Sequence, residues 1–182
     1  MSEPIFTVGH STRAAEEFVE MLTAHGVKLL ADVRTVPRSR HNPQFNREVF
    51  PETLKFAGIE YIHLPELGGL RKPRKDSTNM GWRNLSFRGY ADYIETPAFE
   101  AGLDRLMQSA AGRRAAVMCA EAVPWRCHRS LIGDALEARG IEVFEIASAT
   151  RAQPHKMTPF ALIKDGRVTY SLLSDDRDAR ER

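Results

Sequence analysis

The chain has two cysteines, Cys119 and Cys127, and Cys127 is the sharper chemical candidate because it sits among charged residues. Cys127 lies between Arg126 and His128, with Arg129 next in line. The reactive form of cysteine is the thiolate, and adjacent cations or a helix N-terminus lower its pKa from about 8.5 toward 3.5–7.5. Residues 126–139 read as a helix, which puts Cys127 at its start as the candidate nucleophile. His128, Glu121 and His10 are the candidate proton carriers around it. Cys119 ends an apolar run and is expected to be the less exposed, less reactive thiol.

Around these residues lie six arginines, Arg13, Arg34, Arg38, Arg40, Arg126 and Arg129. The planar guanidinium fork suits phosphate and carboxylate, so an anionic small molecule or a nucleotide is the expected ligand. Ser11, Thr12, Asp32, His63 and Glu66 fall in the same segments and complete the candidate binding set. Only Asp32, Glu66 and Glu121 supply carboxylates there, and pairing with them is the competing account of the arginines. His10, His63, Cys119 and Cys127 match zinc in kind, but no C-x₂-C or H-x₃-H pair exists, and no metal ligand is assigned. The glycines form neither G-x-G-x-x-G nor G-x-x-x-x-G-K, so no standard NAD or ATP cofactor is expected and the cofactor stays unknown.

What must position these groups is a set of alternating strands and helices. Ile5–Gly9, Lys28–Val33, Glu60–Leu64, Ala115–Cys119 and Glu142–Ala147 are short β-forming runs. Between them, Phe18, Met21 and Leu22 form a helical stripe, and helices are expected near residues 47–57, 90–94 and 97–111. Alternation of this kind predicts an α/β domain with a mostly parallel sheet in Rossmann-like or flavodoxin-like layers. Asp165-Gly166 between two apolar runs predicts a C-terminal β-hairpin. Residues 1–173 read as a single domain, and 174–182 as a charged disordered tail. Parallel strands end together, so the segments following them converge on one edge, where open α/β sheets bind ligands.

Those segments are Gly9-His10-Ser11-Thr12-Arg13, Asp32-Val33-Arg34, His63-Leu64-Pro65-Glu66-Leu67-Gly68-Gly69, and Cys119-Ala120-Glu121 followed by Cys127-His128-Arg129. In that order they resemble the domain-of-unknown-function family 488, over about Phe6 to Ile146. The resemblance implies a compact α/β fold and no established activity.

A net charge of +2 argues against a dedicated nucleic-acid binder. The basic run 71–75 lies in a polar stretch, residues 68–88, that reads as a surface loop. With Trp82, Phe87 and Trp125 it leaves a nucleic-acid partner open. Met1-Ser-Glu-Pro lacks a signal sequence, and no apolar stretch nears the roughly 18 residues a membrane span needs. A cytoplasmic protein with reduced thiols and no membrane contact is expected. The functional expectation is an enzyme for a phosphorylated or nucleotide-like anionic substrate. A non-catalytic nucleotide or nucleic-acid module and a His/Cys metalloprotein are its alternatives, and oligomeric state is not readable.

Overall fold

Apolar, β-branched runs form the parallel strands: β1 (Ile5–Gly9), β2 (Leu29–Asp32), β3 (Glu60–His63), β4 (Ala115–Cys119) and β5 (Val143–Ser148). The computed structural model describes residues 2–172, so the expected tail at 174–182 lies outside the described residues. A sixth strand, β6 (Arg151–Pro154), adds antiparallel to β5, giving the order β3-β2-β4-β1-β5-β6. The Asp165-Gly166 turn joins β7 (Leu162–Lys164) and β8 (Arg167–Thr169) as the expected antiparallel hairpin. The whole is a single α/β domain.

Two helices cover one face of the sheet, α1 (Ala15–Ala24) and α2 (Phe50–Phe56), through Phe18, Met21, Leu22, Phe50 and Leu54. Three cover the other: α3 (Leu85–Ile94), α4 (Pro97–Ala110) and α5 (Arg129–Ala138), through Tyr90, Phe99, Leu103 and Leu131. The chain leaves β1 and β2 toward α1 and α2, but leaves β4 toward α5 on the opposite face. Strand β4 lies between β1 and β2, so connections part on both sides of it and a crevice opens above its C-terminal end. Among the described residues, no helix is long and apolar enough to cross a membrane.

Helix α5 starts at Arg129 rather than 126, because Pro124–Arg126 closes a separate 3₁₀ turn. Cys127 follows that turn in extended backbone, φ −131° and ψ 144°. Neither Ser11 nor Thr12 caps α1, whose N-cap is Ala14 with no side-chain hydrogen bond. Residues 68–88 are also tied down. Asp92 accepts hydrogen bonds from Arg74 N, Ser77 Oγ and Asn79 Nδ2 at 2.8, 2.6 and 2.8 Å, and Arg71 lies 3.7 Å over the Tyr93 ring. Trp82 stacks on Phe87 at 4.9 Å and packs against Phe160 and Tyr170, so two of the three aromatics proposed for nucleic acid are half-buried against the core. Only Trp125, 70% exposed, faces outward.

Candidate functional site

The crevice over β4 is a cleft of about 530 Å³. Parallel pairing sets its floor: Gly9 sits beside Cys119, and Asp32 beside Met118. The ladder runs past the strand ends, with His10 N donating to Cys119 O and Ser11 N to Ala120 O, both at 3.0 Å. Gly9 is required here, because a Cβ on it would lie 1.8 Å from Glu121 O and 2.7 Å from Arg129 Nη1. That close approach lets the 119–122 turn fold over β1. Two of the three non-glycine residues with positive φ among the described residues line the cleft, Ser11 (52°) and Leu70 (62°). Such backbone strain tends to gather at functional sites.

At the base of the cleft the two sulfurs meet. Cys127 Sγ–H donates to Cys119 Sγ at 2.9 Å, and Arg129 Nη1 donates to the same sulfur at 2.7 Å. Burial opposes ionisation of Cys119, but these two donors, the Arg129 charge and the Glu121 loop draw its pKa down to about 7. Cys127 moves the opposite way: its thiol gives its hydrogen bond to Cys119 and is buried, so its pKa is pushed up. These two directions run opposite to the order of reactivity expected from the sequence, while Cys119 is the less exposed of the two as expected. Cys127 does take a hydrogen bond from a helix N-terminus, Arg129 N, but it is long at 3.5 Å, and the guanidinium points at the other sulfur.

Arg129 itself is fully buried and fixed by the protein. Its Nη2 donates to Glu145 Oε1 at 2.7 Å and Ala122 O at 3.0 Å, and Nη1 also reaches Glu121 O. Thr7 Oγ1 donates to the other oxygen of Glu145, while Arg129 Nε has no partner. Glu145 was not among the expected site residues. Its one signal is a charge within the apolar run Val143-Phe144-Glu145-Ile146.

The histidines divide. His10 Nδ1 donates to Ser11 O at 2.7 Å, and its Nε2 accepts from Arg34 Nη1 at 3.3 Å, because a carbonyl can only accept and a guanidinium only donate. The ring stacks on Phe45 at 4.3 Å, and burial, with Arg34 adding to it, lowers its pKa to about 4. Both nitrogens are occupied, so His10 is built as a neutral wall. His63 is likewise committed, to Arg34 O at 2.8 Å and Arg47 Nη1 at 3.1 Å. His128 differs: Nδ1 lies 3.6 Å from Cys127 Sγ, Nε2 has no well-formed hydrogen bond, and burial lowers its pKa to about 4.

Of the expected site residues, His10, Ser11, Thr12, Arg34, Arg38, Glu121, Cys127 and His128 line the cleft. Cys119, Gly69 and Leu70 join them, and the basic run 71–75 does not. Asp32 lies buried beneath, locked to Arg34 at 2.7 Å. Glu66 turns away to Arg105, and Arg13, Arg40, His63, Arg126 and Arg129 contribute no lining surface. The carboxylate count also changes. Arg13 pairs with Glu17, Arg38 with Glu48 and Arg129 with Glu145, all acids from segments outside the expected edge. Among the described residues, no group of three or more His, Cys, Asp or Glu side chains is placed to hold a metal ion.

No curated protein and no solved structure matches the chain. A family model with the description Domain of unknown function DUF488 matches residues 14–136, a span that stops short of the Gly9–Arg13 segment.

Proposed function

Given that the chain belongs to the DUF488 family, whose description states no activity, we propose from the cleft itself that this protein is an enzyme with Cys119 as its nucleophile. The single observation that carries this reading is the Cys119 sulfur receiving two donors, Arg129 Nη1 at 2.7 Å and Cys127 Sγ–H at 2.9 Å, at the base of an open cleft. A thiolate held near neutral pH attacks electrophilic centres, which a buried packing cysteine does not. Cys127 supports the charge on Cys119. His128, neutral and 3.6 Å from Cys127, is the group placed to exchange a proton with the pair. Glu121, exposed at the rim, is the second candidate for proton transfer. His10 acts as a positioning residue through Arg34.

The substrate proposed is a small phosphorylated or nucleotide-like molecule. Arg34 and Arg38 line the cleft beside the hydroxyls of Ser11 and Thr12. The pair between Arg38 and Glu48 joins two exposed side chains, and such pairs are readily exchanged for an anionic ligand. A non-catalytic nucleotide or nucleic-acid module draws less support, since four of the six arginines already have acidic partners.

The test is a screen over phosphate esters and nucleotides with the wild type and Cys119→Ser side by side. Turnover that is present in the wild type and lost in Cys119→Ser, with inorganic phosphate or AMP slowing alkylation of Cys119, supports the reading. Equal turnover in both proteins rejects the nucleophile. Alkylation indifferent to phosphate and AMP rejects the substrate class.

A further inference from the structure

The sulfurs of Cys119 and Cys127 stand 2.9 Å apart, with Cys127 Sγ donating to Cys119 Sγ, and both side chains line the cleft. The charges around them are unbalanced. Arg129 faces Glu145 on one side and Cys119 on the other, so the reduced node with a Cys119 thiolate sets two anions against one buried cation. A bond between the sulfurs would leave Arg129 and Glu145 as a matched pair. The loop joining the cysteines is exposed at Ala120, Glu121, Ala122, Trp125 and Arg126, while Ser11 N and Arg129 hold its carbonyls at 120–122, so the closure falls on the side chains. A disulfide brings its sulfurs to about 2.05 Å, a modest closure from the observed contact.

We infer that Cys119 and Cys127 form a redox couple, which a small hydroperoxide entering the cleft oxidises to an intramolecular disulfide. This goes beyond substrate attack by Cys119, although it uses the same sulfur. The Cys119 thiolate attacks the terminal peroxide oxygen, the O–O bond breaks, and the alkoxide leaves and takes up a proton as the alcohol. The product is a Cys119 sulfenic acid. Cys127, giving up its proton, attacks that sulfur; the S–S bond forms, the S–O bond breaks, and hydroxide leaves as water after protonation. Two electrons pass from the sulfurs to the peroxide. Starting from thiolate and thiol, one proton is consumed, and alcohol and water are the products.

Reduced protein is titrated with hydrogen peroxide under anaerobic conditions, and free thiols are counted after denaturation. One equivalent of peroxide is expected to remove both thiols and two hydrogens of mass, with no dimer, and dithiothreitol should restore them. Cys127→Ser is expected to stop at the sulfenic acid, trapped by dimedone on Cys119, while Cys119→Ser keeps its remaining thiol free. Thermal melts of both variants check that each is folded, and the wild-type thiol count decides the question if either is not. Sulfinic acid on one cysteine beside a free thiol on the other, a disulfide between two molecules, or both thiols surviving the peroxide would each overturn the proposal. The measurement needs no organic substrate, so an empty substrate screen leaves this result standing on its own.

Discussion

Arg34 follows β2 and Arg129 opens α5, and both bury a guanidinium at the same edge of the sheet. Arg34 meets one carboxylate in a two-point contact, Nε to Asp32 Oδ1 at 2.9 Å and Nη2 to Oδ2 at 2.7 Å. Asp32 also accepts from Tyr61 Oη at 2.5 Å and from Arg34 N at 3.1 Å. That centre is closed, with one charge answering one charge. Arg34 also donates to Phe45 O and His10 Nε2, whereas Arg129 meets its carboxylate through one nitrogen, divides its other donors between two carbonyls and a sulfur, and leaves Nε unpaired. A cation not consumed by one carboxylate is what can stabilise a thiolate.

The largest expected effect comes from breaking the Arg129 centre. Arg129→Met strands Glu145 in the interior, and removing one partner of a buried pair costs about 3–5 kcal/mol. Denaturant unfolding should show that loss, or Glu145 should take up a proton to avoid it. In the same variant Cys119 loses its charged donor, so its alkylation midpoint should rise from near pH 7 to above the ordinary thiol value. Arg34→Met should cost less, roughly 2–4 kcal/mol, because Asp32 keeps the Tyr61 hydroxyl and a backbone N–H. It should leave the Cys119 midpoint in place. If Arg34→Met shifts that midpoint as far as Arg129→Met does, the distinction between the two centres collapses.

Acid should then separate the cleft walls from the rest of the fold. His10 and His128 have folded-state pKa values near 4, both lowered chiefly by burial, against 6.5 when unfolded. Below pH 6.5 the unfolded chain takes up protons that the folded one refuses. The stabilisation is whole above 6.5 and is lost as pH falls toward 4. Each histidine should contribute a slope of about 1.4 kcal/mol per pH unit within that window. His10→Asn, which keeps polar atoms for Ser11 O and Arg34, should remove about half of the slope between pH 6 and 5. An unchanged slope would mean that His10 is charged in the folded protein.

The sheet was legible in the sequence because apolar runs of four to six residues recur between helical stripes, and parallel strands leave no choice about which loops meet. Strand β6 was not legible, since Arg151-Ala-Gln-Pro154 has neither alternation nor β-branched residues and pairs only because β5 offers an open edge. The place of Cys127 was misread because Pro124 starts its own 3₁₀ turn, which delays α5 to Arg129. The carboxylate count failed for a different reason. Glu48 and Glu145 come from a loop and a neighbouring strand, and spacing along the chain says nothing of such partners, whereas Glu17 stands at i,i+4 from Arg13 and was readable. The saturation of His10 and His63 was equally hidden, because it depends on Arg34 and Arg47, which folding brings in from elsewhere in the chain.

The smallest expected effect concerns Arg38, the exposed counterpart of the two buried arginines. Arg38 and Glu48 leave about two thirds and half of their side-chain surface exposed, and a pair so open to solvent is screened by water and salt. Arg38→Ala should therefore leave the unfolding midpoint and the Cys119 alkylation rate unchanged in buffer without added anions. The variant should differ only when an anion is present. Arg38 lines the cleft together with Ser11 and Thr12, so it can release Glu48 and turn to a phosphate group. Protection of Cys119 by inorganic phosphate should weaken in Arg38→Ala, and raising the salt concentration in the wild type should weaken it in the same way. Protection equal in both proteins would mean that the anion, if held, is held by Arg34 and backbone donors. A lower unfolding midpoint would mean that the pair with Glu48 is structural, and that Arg38 belongs with the buried arginines after all.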